Sequence, residues 1–179
     1  MVILEDTRQQ ANKHILKHRW FDANGIEVIR TKLLCGDYAL PNKGDVSVDT
    51  KQGLSEVYNN LIQDHERFRA EADLAVKAGI KLYVLVEEFK CTKLEDVKNW
   101  RNPRYINWMK INAKHKQGEM LWRKIPPKPP ASSGTLYKIM KTMQEDHGVT
   151  WVFCKPDDAG EMIVKLLTEG GDVDGKTSS

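Results

Sequence analysis

The run "IKLYVLVEE", residues 80–88, constrains the fold more than any other stretch. Leu82, Val84 and Val86 would face one side of a strand and Tyr83 and Leu85 the other, so both faces need cover. A strand of that kind belongs in the middle of a sheet with a layer packed on each side. The other elements must supply those layers.

Outward from it, residues 2–5 form a short apolar strand. Thr7 can cap the next element, and Ala11 to Trp20 reads as a helix with Ile15 and Leu16 inward. Gly25 sits where a helix-ending loop takes a left-handed residue. Residues 26–31 and 32–40 are the next strands of a meander, and the turn at 41–45 returns the chain into "VSVDTK", residues 46–51. Gly53 and Leu54 open one long helix ending at Gly79, with Leu54, Val57, Leu61, Phe68, Leu74 and Ala75 on its apolar face. A helix from Ser132 or Ser133 to His147, a strand over 149–154 and a helix from Pro156 to Leu167 complete the chain. The order β-α-β-β-β-α-β, an interruption, then α-β-α predicts an α/β protein with a mixed β-sheet flanked by helices on both faces.

At 179 residues the chain suits one domain with a sizeable core. Residues 1–168 are expected to be that single domain, interrupted by a Trp/Pro-rich segment at 89–131 whose end, "IPPKPPASSG", reads as an extended linker. Residues 169–179 are polar and expected to be a disordered tail. The net charge of +3 hides an asymmetry. Between Thr92 and Pro130 ten Lys or Arg face three Asp or Glu, which leaves 18 basic against 22 acidic residues elsewhere. A basic segment sits on a mildly acidic body, which points to an anionic partner. Three scattered cysteines give neither a disulfide framework nor a zinc pair and fit a reducing cytoplasm; no run is long enough to span a membrane, and no signal peptide is evident.

The chemistry-bearing pattern lies in residues 46–51. Val46, Val48 and Thr50 alternate with Ser47, Asp49 and Lys51, so a carboxylate and an ammonium share one face of a strand. A solvated surface strand would also show this pattern. Asp37, twelve residues earlier, lies on the neighbouring strand of the meander. Two carboxylates that close repel unless a cation lies between them. An all-oxygen site suits Mg²⁺ or Mn²⁺, with the Thr50 carbonyl as a further ligand and Lys51 aimed at the attacking water. Asp6 divides between metal ligand and helix N-cap, Arg8 between phosphate contact and surface ion pair. Glu56 is a possible accessory ligand or a first-turn helix acid. The histidines show no metal spacing and read as surface or helix residues.

The stretches "ILEDTRQQ", "GDYAL", "VSVDTK", "ERFRAEADLAVKAGIKLYVLVEE" and "GVTWVFC…DDAGEMIVKLL" resemble the XPF-type nuclease domain of the PD-(D/E)xK superfamily, in the stand-alone version of bacteriophages and prophages. The resemblance covers residues 2–88 and 132–168. It implies a restriction-endonuclease-like core and metal-dependent cleavage of branched or flap DNA. Asp6 and Arg8 match the family's start, with Gln9 where a glutamate is usual. Asp37 and Lys51 match the metal aspartate and the lysine, Asp49 replaces a glutamate, Thr50 replaces an arginine, and Ser55 stands where a last aspartate is usual. Arg67 matches a helix motif and would brace the acidic site or touch phosphate.

Together these features predict an Mg²⁺- or Mn²⁺-dependent DNA endonuclease. Asp37, Asp49 and Lys51 are its catalytic residues, and Asp37, Asp49, Thr50 and Asp6 its metal ligands. Lys98, Arg101, Arg104, Lys110, Lys114, Lys116, Arg123 and Lys124 join Arg8 and Arg67 in gripping DNA. Trp100, Trp108 and Trp122 would pack a small local core or stack on unpaired bases. The rivals are a DNA-binding module with a degraded site and a partner-docking subunit; a homodimer stays open.

Overall fold

In the computed structural model, residues 1–9, 14–120, 124 and 126–170 are described. The start of the helix expected at Ala11, together with Trp122, Arg123 and residues 171–179 of the tail, lies outside them. Among the described residues the elements are β1 (Val2–Asp6), α1 (Ile15–Ala23), β2 (Glu27–Thr31), β3 (Tyr38–Leu40), β4 (Lys43–Lys51), α2 (Leu54–Ile62), α3 (His65–Lys77) and β5 (Lys81–Glu87). They continue with α4 (Pro103–Lys116), α5 (Ser133–His147), β6 (Thr150–Cys154) and α6 (Ala159–Glu169).

The strands form one mixed sheet in the order β2-β1-β3-β4-β5-β6. β1 pairs parallel with β2 and antiparallel with β3, β3 is antiparallel to β4, and β4, β5 and β6 run parallel. β5 is interior, and its two faces enter different cores. Leu82, Val84 and Val86 pack with Leu54, Leu61, Phe68 and Met140 of α2, α3 and α5. Tyr83 and Leu85 pack with Phe21 and Ile163 of α1 and α6. The unbroken apolar run is thus explained by burial on both sides. No described helix is long and apolar enough to cross a membrane.

Four expectations are corrected. The helix from Gly53 to Gly79 is two, α2 and α3, because the chain breaks at Gln63 and Asp64 and restarts with the Asp64 carbonyl accepting from Phe68 N. Leu74 is accordingly exposed, while Phe68, Ala72 and Ala75 are buried. On α1, Ile15 and Leu16 are 54% and 50% exposed, whereas Lys17 and Phe21 point inward. The inner face combines Phe21 in the core with Lys17 held by Glu87. The strand expected over 32–40 shrinks to Tyr38–Leu40, since residues 33–37 bend around Gly36. Gly36 has φ +68°, and a Cβ there would lie 2.3 Å from Ser47 Oγ. Ser47 Oγ is itself held by the carbonyls of Cys35 and Tyr38, so the bend requires glycine. Finally, α6 starts at Ala159, after a 3₁₀ turn over Pro156–Asp158.

The basic segment is no simple linker. After a 3₁₀ turn over Leu94–Asn99 it forms α4, capped by the Asn102 side chain, which accepts from Arg104 N at 3.0 Å. Asn102 Nδ2 donates to Ala131 O at 2.8 Å and closes the two ends of the segment, while Ala131 N donates to Tyr58 Oη. Cys91 and fully buried Val97 belong to the core, with Trp100 packed against it and near Tyr58. Excising residues 92–130 would strip Val97 from that core, so only the part beyond Trp100 is peripheral. Trp108 ties α4 to the proline-rich stretch by donating to Pro126 O.

Candidate active site

The C-terminal ends of β1 and β4, the bend before β3 and the facing sides of α2 and α3 enclose an open polar cleft of about 270 Å³. β4 places Asp49 and Lys51 on the face turned toward α2 and α3. In register they lie beside Val84 and Val86 of β5. Thr50 points the other way, and its N and Oγ1 both donate to Asp37 Oδ2 at 2.7 Å. Asp37 N in turn donates to Val48 O. The bend at Gly36 and the end of β4 are thus clamped together, which brings Asp37 and Asp49 into one cleft.

Asp37, Asp49, Thr50 and Lys51 are all buried. Lys51 Nζ lies 2.6 Å from Asp49 Oδ2, a buried ion pair, and no second donor reaches that oxygen among the described residues. Burial pushes the Asp49 carboxyl well above the usual range; the Lys51 ammonium opposes that, and the Asp37 and Glu71 carboxylates add to it. Burial works against the Lys51 ammonium, but Asp49 and Asp37 outweigh it and raise its pKa. A cation-seeking acidic cluster is therefore held together by one lysine, which also lies 5.8 Å from the Phe68 ring centroid.

The remaining expected residues divide. Asp6 is buried in the cleft wall, but both its oxygens are occupied. Oδ1 accepts from Arg8 N and Nε, and Oδ2 from Arg8 Nη2 and Leu33 N. It is neither a helix cap nor an open ligand: it aims Arg8, whose side chain is 60% exposed at the cleft. Glu56 and Arg67 also line the cleft. Glu56 Oε2 accepts from Gln52 N, and Arg67 reaches Asn60 Oδ1 at 3.5 Å. On the basic segment Arg101, Arg104, Lys110, Lys114, Lys116 and Lys124 are exposed. Arg104 lies over the Tyr58 ring on α2, the helix whose Glu56 and Asn60 line the cleft. Lys98 is exposed as well, though its ammonium packs 4.2 Å from the Tyr137 ring centroid.

Sequence reasoning missed two groups. Glu71, which lines the cleft and accepts from Gly36 N at 3.0 Å, sits four residues after Arg67. That helical spacing was the available signal. His14 is buried and lines the cleft with Gln9, contrary to its reading as a surface or helix residue.

For a divalent cation the donor set is oxygen-only: the Asp49 oxygen that faces Lys51, Asp37, and the Thr50 main chain. Among the described residues no group of three or more His, Cys, Asp or Glu is placed to hold a metal ion, so protein carboxylates could supply only two ligands. Two carboxylates with open positions suit Mg²⁺, which keeps waters and takes phosphate oxygens as ligands.

No protein-family model and no curated protein matches this chain. Among solved structures, XPF from Aeropyrum pernix is similar with a TM-score of 0.59 at 16% identity, over 97% of this chain and 66% of that one. XPF from Aeropyrum pernix in complex with DNA gives 0.58 at 16%, over 96% and 68%. At this identity the likeness establishes the fold alone: a mixed sheet flanked by helices, as in XPF.

The raised Asp49 pKa fixes a sign. Between the ordinary carboxyl value of 3.8 and its folded value, the unfolded chain releases this proton first, so rising pH costs stability. In EDTA, the melting temperature of Asp49→Asn should fall less than wild type from about pH 4 upward through neutrality. Parallel melting curves for the two proteins would contradict the burial argument.

Proposed function

We propose that the protein is a metal-dependent endonuclease that hydrolyses phosphodiester bonds in branched, flap or single-strand-containing DNA. The observation that carries this reading is the convergence of buried Asp37, Asp49 and Lys51 in one open acidic cleft. A structural ion pair would have no need of two further carboxylates beside it, and such crowding is stable only with added positive charge. The XPF-like fold supports the reading.

Asp37 and Asp49, with the Thr50 carbonyl, would hold Mg²⁺ or Mn²⁺. When bound, the metal polarises a phosphoryl oxygen and makes water a better nucleophile at neutral pH. Thr50 fixes one oxygen of Asp37 through two hydrogen bonds and leaves the other for the cleft. Lys51, charged and buried, stabilises negative charge that grows on the phosphoryl oxygens and orients the attacking water. Arg8, aimed by Asp6, and Arg67 offer guanidinium groups to flanking phosphates. The exposed basic residues of α4 extend that grip beyond α2.

Lys51→Met should lower kcat by about 100-fold or more, because its charge acts mainly in the transition state. DNA affinity measured with Ca²⁺ in place of Mg²⁺ should stay within about two-fold. An unchanged kcat at saturating metal and DNA would make Lys51 a structural cation only.

Replacing Arg101, Arg104, Lys110 and Lys114 together by alanine should reduce the log–log salt slope of DNA binding by about 3, since each lost phosphate contact removes roughly 0.7 to 0.9. All four are exposed, so the melting temperature should hold. An unchanged slope would remove α4 from the DNA path and favour a partner-docking role for it.

A further inference from the structure

Beneath the loop that carries Arg8 runs a buried polar chain that takes no part in the metal chemistry. Lys17, on α1, is 2% exposed, and His14, which precedes that helix, is 4% exposed. Lys17 forms an ion pair with Glu87 at the end of β5, and its Nζ lies 2.9 Å from His14 Nδ1. His14 Nε2 lies 2.6 Å from Gln9 Oε1. Gln9 and His14 both line the cleft that holds Asp37 and Asp49.

We propose that Glu87, Lys17 and His14 form a relay that orients the Gln9 carboxamide with its amide nitrogen toward the cleft, making Gln9 a hydrogen-bond donor to a phosphate oxygen of the substrate. Donation to a phosphate rests on the phosphodiester reading of the site; the orientation of Gln9 does not.

The direction of the chain is set at its lower end. An ammonium has three donors and no acceptor. His14 Nδ1, facing Lys17, must therefore accept, which puts the ring proton on Nε2. Nε2–H then donates to Gln9 Oε1, and a flipped carboxamide would set two donors against each other. The Gln9 amide nitrogen has no acceptor among the described residues, so its two N–H groups remain for a ligand.

The main chain of the same loop is fixed from the other side. Arg30 Nη2 donates to Thr7 O and Gln9 O, and Arg30 Nε lies 3.3 Å from Glu5 Oε2. Glu5 is itself buried and bonded by Tyr38 Oη and His18. Gln9 is thus held at both backbone and side chain. A glutamate at position 9 would accept from His14 equally well, but it would offer the cleft a further negative charge and no donor. A buried Lys–Glu pair rarely adds stability over apolar packing. Its value here lies in setting one orientation at the rim of the site.

Two variants and one spectrum test this. Nitrogen-15 NMR of the histidine rings, recorded on the whole protein without metal or DNA, should find His14 protonated at Nε2 and bare at Nδ1. The double variant Lys17→Met with Glu87→Met leaves no buried charge alone and so should still fold. In it, the His14 tautomer should become mixed. Gln9→Glu keeps the acceptor and removes the donor. It should raise KM for DNA by about ten-fold or more, with a smaller change in kcat, as expected when one hydrogen bond to a charged group is lost. A wild-type His14 with its proton on Nδ1, or an unaltered tautomer in the double variant, would overturn the relay. An active wild type with an unchanged KM in Gln9→Glu would overturn the assignment of Gln9. A wild type with the expected tautomer but no cleavage would instead bring down the nuclease reading and leave the relay standing.

Discussion

The site depends on a cation placed among carboxylates that would otherwise repel. Lys51 is that cation in the protein itself: it is buried, 2.6 Å from Asp49, and shares the cleft with Asp37 and Glu71. The arrangement is forced by strand geometry. Two residues apart on β4, Asp49 and Lys51 must face the same way, while Thr50 between them faces the other way and reaches Asp37. A one-residue slip of β4 would turn both charged groups into the opposite core, so the parallel pairing with β5 fixes the register of the chemistry as well as of the fold.

Around this centre the protein uses polar groups to fix loops. Asp6 is spent on Arg8 and Leu33, Glu71 on the Gly36 amide, and Arg30 on the main chain of residues 7–9. Each of these contacts holds a segment with little apolar anchorage. Such a shell lets side chains at the ends of several strands meet with small positional error, which binding and catalysis by positioning require.

Much of this was legible in the sequence, and the rest was hidden for definable reasons. The unbroken apolar run at 80–88 announced a strand covered on both faces, and the alternation at 46–51 put Asp49 and Lys51 on one face. Local patterns of that kind depend only on period. Ile15 and Leu16 misled because Lys17 is drawn inward by Glu87, a residue seventy positions away. No window of sequence contains that ion pair. The break between α2 and α3 escaped notice because Leu61 and Phe68 are seven apart and stay in phase across it. Glu71 and His14 were missed because their role comes from where α3 and α1 dock. The structured nature of the basic segment turned on Val97, one apolar residue among lysines, filling a gap beside α5.

Incubating the purified protein with single-stranded, duplex, flap and junction DNAs in Mg²⁺ or Mn²⁺, and again in EDTA, decides whether the cleft cuts DNA with the help of a divalent cation. Cleavage of at least one structure containing a single-strand segment is expected, lost in EDTA and lost in Asp37→Asn despite retained folding. Cleavage that persists in EDTA or in Asp37→Asn, or no cleavage of any substrate with either metal, would contradict metal-dependent cleavage at this site.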